Sequence, residues 1–227
     1  MARRAYLAIA LGVAAIVAWG FWPSYFRPLL RGGVDRPGIV HVHAAVFVGW
    51  LVLLVAQASL ISVGRVRLHR RVGQAGMLYG VLVLCVGLVV SVGAPALRVR
   101  AEQLPLDAAG LVVLYNLTDM LLFGGFFVAA MAHRGSPELH KRLILSATVA
   151  LLGAAVGRVL PMSFAYLVVW LSPLFAVIAV DLSTTRRIHP VPLLSVAVFV
   201  IAFFKVDLLA LFSLPREVGR VLLTPFV

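Results

Sequence analysis

The chain has almost no cysteine, few acids and no long polar stretch, and each shortage excludes a class of protein. Cys85 is the only cysteine among 227 residues and lies inside an apolar run. One chain can therefore build neither a disulfide framework nor a thiolate metal cluster. Asp and Glu number 8 against 20 Lys and Arg, and charged residues of all kinds make up only 12%. A water-soluble domain of this length needs far more polar surface. Recognisable enzyme motifs are missing too: there is no His-Glu-x-x-His, no Gly-x-Ser-x-Gly, no phosphate loop and no Cys-x-x-Cys. The apolar runs hold no chain of acids either, so a continuous proton or ion path has little to stand on.

What is present is apolar. Hydrophobic residues are 63% of the chain and the mean hydropathy is +1.07, so the solvent for most of it is lipid. The net charge of +12 sits in short turns between apolar runs, where basic residues set topology and meet anionic lipid headgroups; nucleic acid is not the expected partner. The pattern predicts an all-α polytopic transmembrane bundle of seven helices in a single domain, 1–227. The spans are expected at about 5–22, 39–63, 72–94, 108–132, 143–160, 163–182 and 191–214. The first run ends in Trp19-Gly20-Phe21-Trp22-Pro23, bulky where a signal peptidase needs small residues, so it is expected to be retained. Residues 23–38 read as a loop, and the tail from Pro215 as a segment on the membrane surface. Gly73, Gly76 and Gly80 form a small-residue stripe for close helix approach. Gly124-Gly125 suggests a bend, and Pro173 a kink.

Basic residues set the expected orientation. Arg3, Arg4, Arg65, Arg67, Arg70, Arg71, Arg134, Lys141, Arg142, Arg186 and Arg187 fall on the N-terminal side. Arg27, Arg31, Arg36, Arg98, Arg100, Arg158, Arg216 and Arg220 fall on the other. Eleven against eight favours N-in and C-out.

Two polar sets stand out. Leu68-His69-Arg70-Arg71 is echoed 71 residues on by Leu139-His140-Lys141-Arg142, and more weakly by Arg186-Arg187-Ile188-His189. These corners place His69, His140 and His189 on one side, with His133 close by. They read as helix caps and lipid-phosphate contacts, as a haem or metal site built from several hairpins, or as a site for an anionic substrate or headgroup. The opposite side holds His41, His43, Asn116, Asp119, Arg158, Lys205 and Asp207 at greater depth. Ionisable residues inside a span are costly, so these are expected to face one another. The expected pairs are Arg158 with Asp119 or Asp207, and Lys205 with the remaining acid. His41, His43 and Asp119 form a candidate site for zinc or iron, because two imidazoles and a carboxylate hold such an ion with a position left open. His43, Trp50 and Gln57 recur every seven residues and share a face. His140 to Arg158 and His189 to Asp207 are each 18 residues apart, which is five helical turns, about 27 Å along one stripe.

His41-x-His43, then Trp50, Gln57 and Leu68-His69-Arg70-Arg71-x-Gly73, then Glu138-Leu139-His140-Lys141-Arg142-Leu143 and Arg158, resembles a group of bacterial multi-pass membrane proteins of unknown function. The likeness covers most of His41 to Arg158. Some broadly similar small histidine-containing membrane proteins are implicated in cytochrome oxidase assembly. The resemblance implies a bacterial cytoplasmic-membrane protein that handles haem or a transition metal (zinc, iron or copper), with a membrane redox or assembly partner. A transporter or channel for a small solute or anion, and a scaffold without ligand, are the alternative expectations.

Overall fold

A computed structural model describes residues 2–33, 36–211 and 213–226, without the side chains of Ala2, Lys205, Val206, Asp207, Ala210 and Phe226. The described residues are built from helices, and six of these are long and apolar enough to cross a membrane. We label the main helices α1 (Ala2–Phe21), α2 (Gly38–Ser62), α3 (Val66–Arg100), α4 (Leu106–Ala132), α5 (Pro137–Ala150), α6 (Phe164–Thr185), α7 (Pro190–Ala210) and α8 (Leu214–Leu223). Within α7, the apolar stretch Pro190–Phe204 is shorter than the six spans among the described residues.

Several boundaries differ from the expected ones, for physical reasons. α1 does not stop at Trp22: a π-helical turn, Trp22–Phe26, and a further turn, Arg27–Leu30, carry it into the expected loop as far as Leu30. α3 has 35 residues, about 52 Å of helix, so it outlasts a hydrocarbon core of about 30 Å. His69, Arg70 and Arg71 consequently lie inside its first turns, not in a turn before it, and Pro95 lies within the helix instead of ending it. The expected span 143–160 starts earlier, at Pro137, and its α-helix stops at Ala150. A turn through Leu151 and Leu152 leads to one more helical turn, Gly153–Val156. α4 runs unbroken through Gly124-Gly125. The C-terminal tail folds as the amphipathic helix α8, which packs on α4 and is tied there by Arg216 and Asp107.

Sequential helices are antiparallel and joined by short connections, so their ends collect on two faces. The N-terminal face holds the starts of α1, α3, α5 and α7. The opposite face holds the ends of those helices, the start of α2 and α8. The most buried span is α5 with its extra turn. Around it α1, α2, α3, α4, α7 and α6 touch in a closed order. Its sequence explains the central place: Ser146, Ala147, Thr148 and Ala150 are small, and all four are fully buried. Neighbouring backbones can then approach closely. Trp50 of α2 and Trp170 of α6 donate their indole N–H groups to Thr148 Oγ1 (3.2 Å) and the Val149 carbonyl (2.8 Å). The Val149 carbonyl accepts this bond beside one from Leu152 N, at the point where Leu151 N and Leu152 N turn back to the carbonyls three residues before them. The glycine stripe of α3 behaves as expected. Gly76 meets Leu53 of α2, and a methyl on Gly80 would collide with the Phe127 ring of α4.

Candidate functional site

The N-terminal face divides the three corner histidines. His140 lies in the first turns of α5, where its Nδ1 pairs with the Ala130 carbonyl of α4 at 2.9 Å. A carbonyl only accepts, so Nδ1 carries the proton and Nε2 keeps its lone pair. His69 lies within electrostatic reach of His140. With the Gln57 amide turned so that both of its ends find partners, its nitrogen donates to His69 Nδ1 (2.7 Å) and its oxygen accepts from Gly73 N (2.9 Å), an orientation assigned from those partners. In that orientation His69 is the opposite tautomer, with the proton on Nε2. The two imidazoles therefore offer one donor and one acceptor.

His189 stands apart. Its Nδ1 accepts from Val191 N at 3.2 Å and caps α7. Burial, reinforced by the Arg142 guanidinium, holds this imidazole below its usual pKa. The three histidines expected to share a cofactor thus split two to one. His140 and Arg142 are two residues apart on a helix, so they leave α5 on nearly opposite sides.

On the Arg142 side lies a charged network that sequence reasoning missed. Arg142 Nη2 donates to Asp181 Oδ1, Nη1 donates to the Glu138 carboxylate and carbonyl, and Asp181 Oδ2 accepts from His189 N at 3.1 Å. Arg142 and Asp181 are only 5% and 3% exposed, so this is an ion pair inside the bundle wall. One turn deeper, Ser146 and Ser195 share a hydrogen bond of 2.8 Å between α5 and α7. Tyr6 of α1 closes the group, its ring 4.7 Å from Lys141 Nζ. Tyr6 Oη and Arg142 Nε are buried without a hydrogen-bond partner among the described residues. The available signal was Asp181, an acid near the end of an apolar run, with Arg142 in the second basic corner.

The deeper set is not gathered as expected. Among the described residues no three His, Cys, Asp or Glu side chains come together around a common point, so His41, His43 and Asp119 do not converge. His41 Nδ1 pairs with Tyr25 Oη at 2.9 Å. His43 packs on Phe47 with ring centroids 4.0 Å apart, and its Nδ1 is buried without a partner. Asp119, at the middle of α4, meets α5 where the extra turn begins. A methyl on Gly153 would lie 3.7 Å from Asp119 Oδ2 and 2.9 Å from Tyr166 Oη. Asn116, three residues earlier, is half-buried. The expected pair of Arg158 and Asp119 is not formed. Arg158 Nη1 donates to the Ala154 carbonyl at 2.9 Å, and its guanidinium lies 4.3 Å over the Phe21 ring. The break at Leu151 also removes the continuous helix that the five-turn spacing from His140 to Arg158 assumes, so those two residues do not share one unbroken helical stripe. The side chains of Lys205 and Asp207 lie outside the described residues, and so do their expected pairings.

These features define a class, a multi-pass helical bundle with membrane-capable spans and polar groups clustered at both faces. No family model, no curated protein and no solved structure matches the chain.

Proposed function

We propose that this chain is a seven-span protein of the bacterial cytoplasmic membrane, N-terminus inside and C-terminus outside. We propose further that it holds a transition metal or haem iron at His140 and His69, in redox chemistry or cofactor assembly with a membrane partner. The seventh span is Pro190–Ala210, whose 21 residues rise about 32 Å. The orientation rests on the bias of basic residues toward the N-terminal face.

One observation carries the site. His140 donates from Nδ1 to a backbone carbonyl, the arrangement that presents Nε2 of a metal-ligating imidazole in the right tautomer. Imidazole suits zinc, copper and iron. His69 is the second ligand. Its coordination through Nε2 requires the ring proton to move to Nδ1, and Gln57 to turn its oxygen toward the ring, away from Gly73 N. His140 is therefore the anchoring ligand and His69 the exchangeable one, which suits a protein that passes its metal on.

The test is metal analysis with an absorption spectrum of gently solubilised protein, beside His140→Ala and His43→Ala. Haem gives a Soret band, and a bare ion gives stoichiometric metal; either is lost in His140→Ala and kept in His43→Ala. Colourless protein with substoichiometric metal, unchanged by both substitutions, overturns the reading. Reporter fusions at Gly135 and Val227 should respond as cytoplasmic and external, and two reporters on one side would overturn the seven-span count.

A further inference from the structure

On the face opposite the His69–His140 pair, four segments meet. Gly20 of α1 packs on the Ala155 backbone so closely that a methyl there would collide with it, and this brings Phe21 under Arg158. Gly93, near the end of α3, lies against Ile39 at the start of α2. Arg36 just precedes α2 and Arg98 lies in the last turn of α3. This packing collects Arg36, Arg98 and Arg158 at one corner, each exposed. None of the three has an ion-pair partner among the described residues; Asp107 and Glu217 are paired with Arg216 and Arg220, and Glu102 stands in the turn beyond α3 outside any ion pair among the described residues. His43 lies within electrostatic reach of Arg158 and has a buried, unpartnered Nδ1.

We infer that Arg36, Arg98 and Arg158, with His43 at their base, form a binding site for an anionic phosphate group at this membrane face. Guanidinium groups match phosphate oxygens in pairs. Three of them, with no carboxylate paired to any among the described residues, repel one another until an anion joins them. Arg36 and Arg98 both lie within electrostatic reach of Arg158. His43 Nδ1–H supplies the remaining donor, and the Phe21 ring fixes the Arg158 plane. The site lies at a bundle end, at the level where a phospholipid headgroup sits. A lipid phosphate and a free phosphate therefore share the chemistry.

Native mass spectrometry of the purified full-length chain in a zwitterionic detergent reads this directly. Phosphatidylglycerol, phosphatidylcholine and inorganic phosphate are titrated separately into wild type, Arg158→Gln, Arg98→Gln, Arg158→Lys and Arg100→Gln. Phosphatidylglycerol should be retained by wild type about tenfold more tightly than by Arg158→Gln or Arg98→Gln, one charge-assisted contact being lost in each. Arg158→Lys should fall between, and Arg100→Gln should match wild type. Inorganic phosphate displacing the lipid assigns the site to the phosphate group in either form; retention of the lipid against phosphate assigns it to the headgroup in its membrane. Absence of both ligands from wild type overturns the inference, and so does equal weakening in Arg100→Gln.

Discussion

Replacing Asp181 by Ala strands the guanidinium of Arg142 inside the wall of the bundle. Asp181 accepts from two donors, Arg142 Nη2 and the His189 backbone N–H, and both lose their acceptor. Removing one partner of a buried ion pair costs about 3–5 kcal/mol. The low end, about 3 kcal/mol, applies because Glu138 still faces Arg142, although its side chain is 64% exposed. The orphaned His189 N–H adds about 1 kcal/mol, for a total of about 4 kcal/mol. Asp181→Asn keeps an acceptor oxygen and should lose about half as much. The double variant Arg142→Met with Asp181→Leu removes both charges, so it should be more stable than Asp181→Ala by about 2 kcal/mol or more. Reversible unfolding in mixed micelles, followed by far-UV circular dichroism as the SDS fraction rises, measures each value. The reasoning fails if Asp181→Ala costs less than about 1 kcal/mol, or if the Met/Leu double variant is as unstable as the two single changes added together.

The cap made by His189 predicts a pH dependence. Its pKa is lower folded than unfolded, so its contribution is complete above the unfolded value of about 6.5 and is lost as pH falls through the folded value. Unfolding free energy should drop between pH 7 and 5 more steeply in wild type than in His189→Asn, which caps without titrating; equal slopes would refute it. Gly110→Ala drives a methyl into the Pro215 carbonyl and should detach α8, read as faster tryptic cleavage at Arg216 and Arg220. Gly125→Ala, which meets nothing within 4 Å, should leave cleavage unchanged. Gln57→Glu supplies an acceptor for a proton on His69 Nδ1, freeing Nε2, and should raise metal retention about tenfold, within the range of effects known for groups behind metal ligands. Retention unchanged or reduced would count against His69 as a ligand.

The amino-acid sequence by itself announced seven apolar runs, of which six are membrane-capable helices among the described residues, because hydropathy summed over about 20 residues needs no knowledge of neighbours. It also determined where helices approach closely, since Gly76 and Gly80 announce contact whatever the partner is. Helix ends were less legible. The basic residues of Val66–Arg100 read as turns, yet a helix continues past the hydrocarbon wherever its backbone bonds are still formed. Tertiary structure alone decided which span became the centre and which way its side chains point. Arg142 and Asp181 are 39 residues apart, and no local pattern couples them. His69 lies within electrostatic reach of His140 while His189 caps α7, because the rotation of α5 sends residues 140 and 142 to opposite sides. The break after Ala150 has no glycine or proline at Leu151 to mark it, and the Val149 carbonyl there accepts from both Leu152 N and the Trp170 indole. Beyond that break Arg158 binds the Ala154 carbonyl and lies within electrostatic reach of Arg36 and Arg98. Depth in the membrane follows from composition, but the azimuth of a side chain follows from packing, and the sites depend on azimuth.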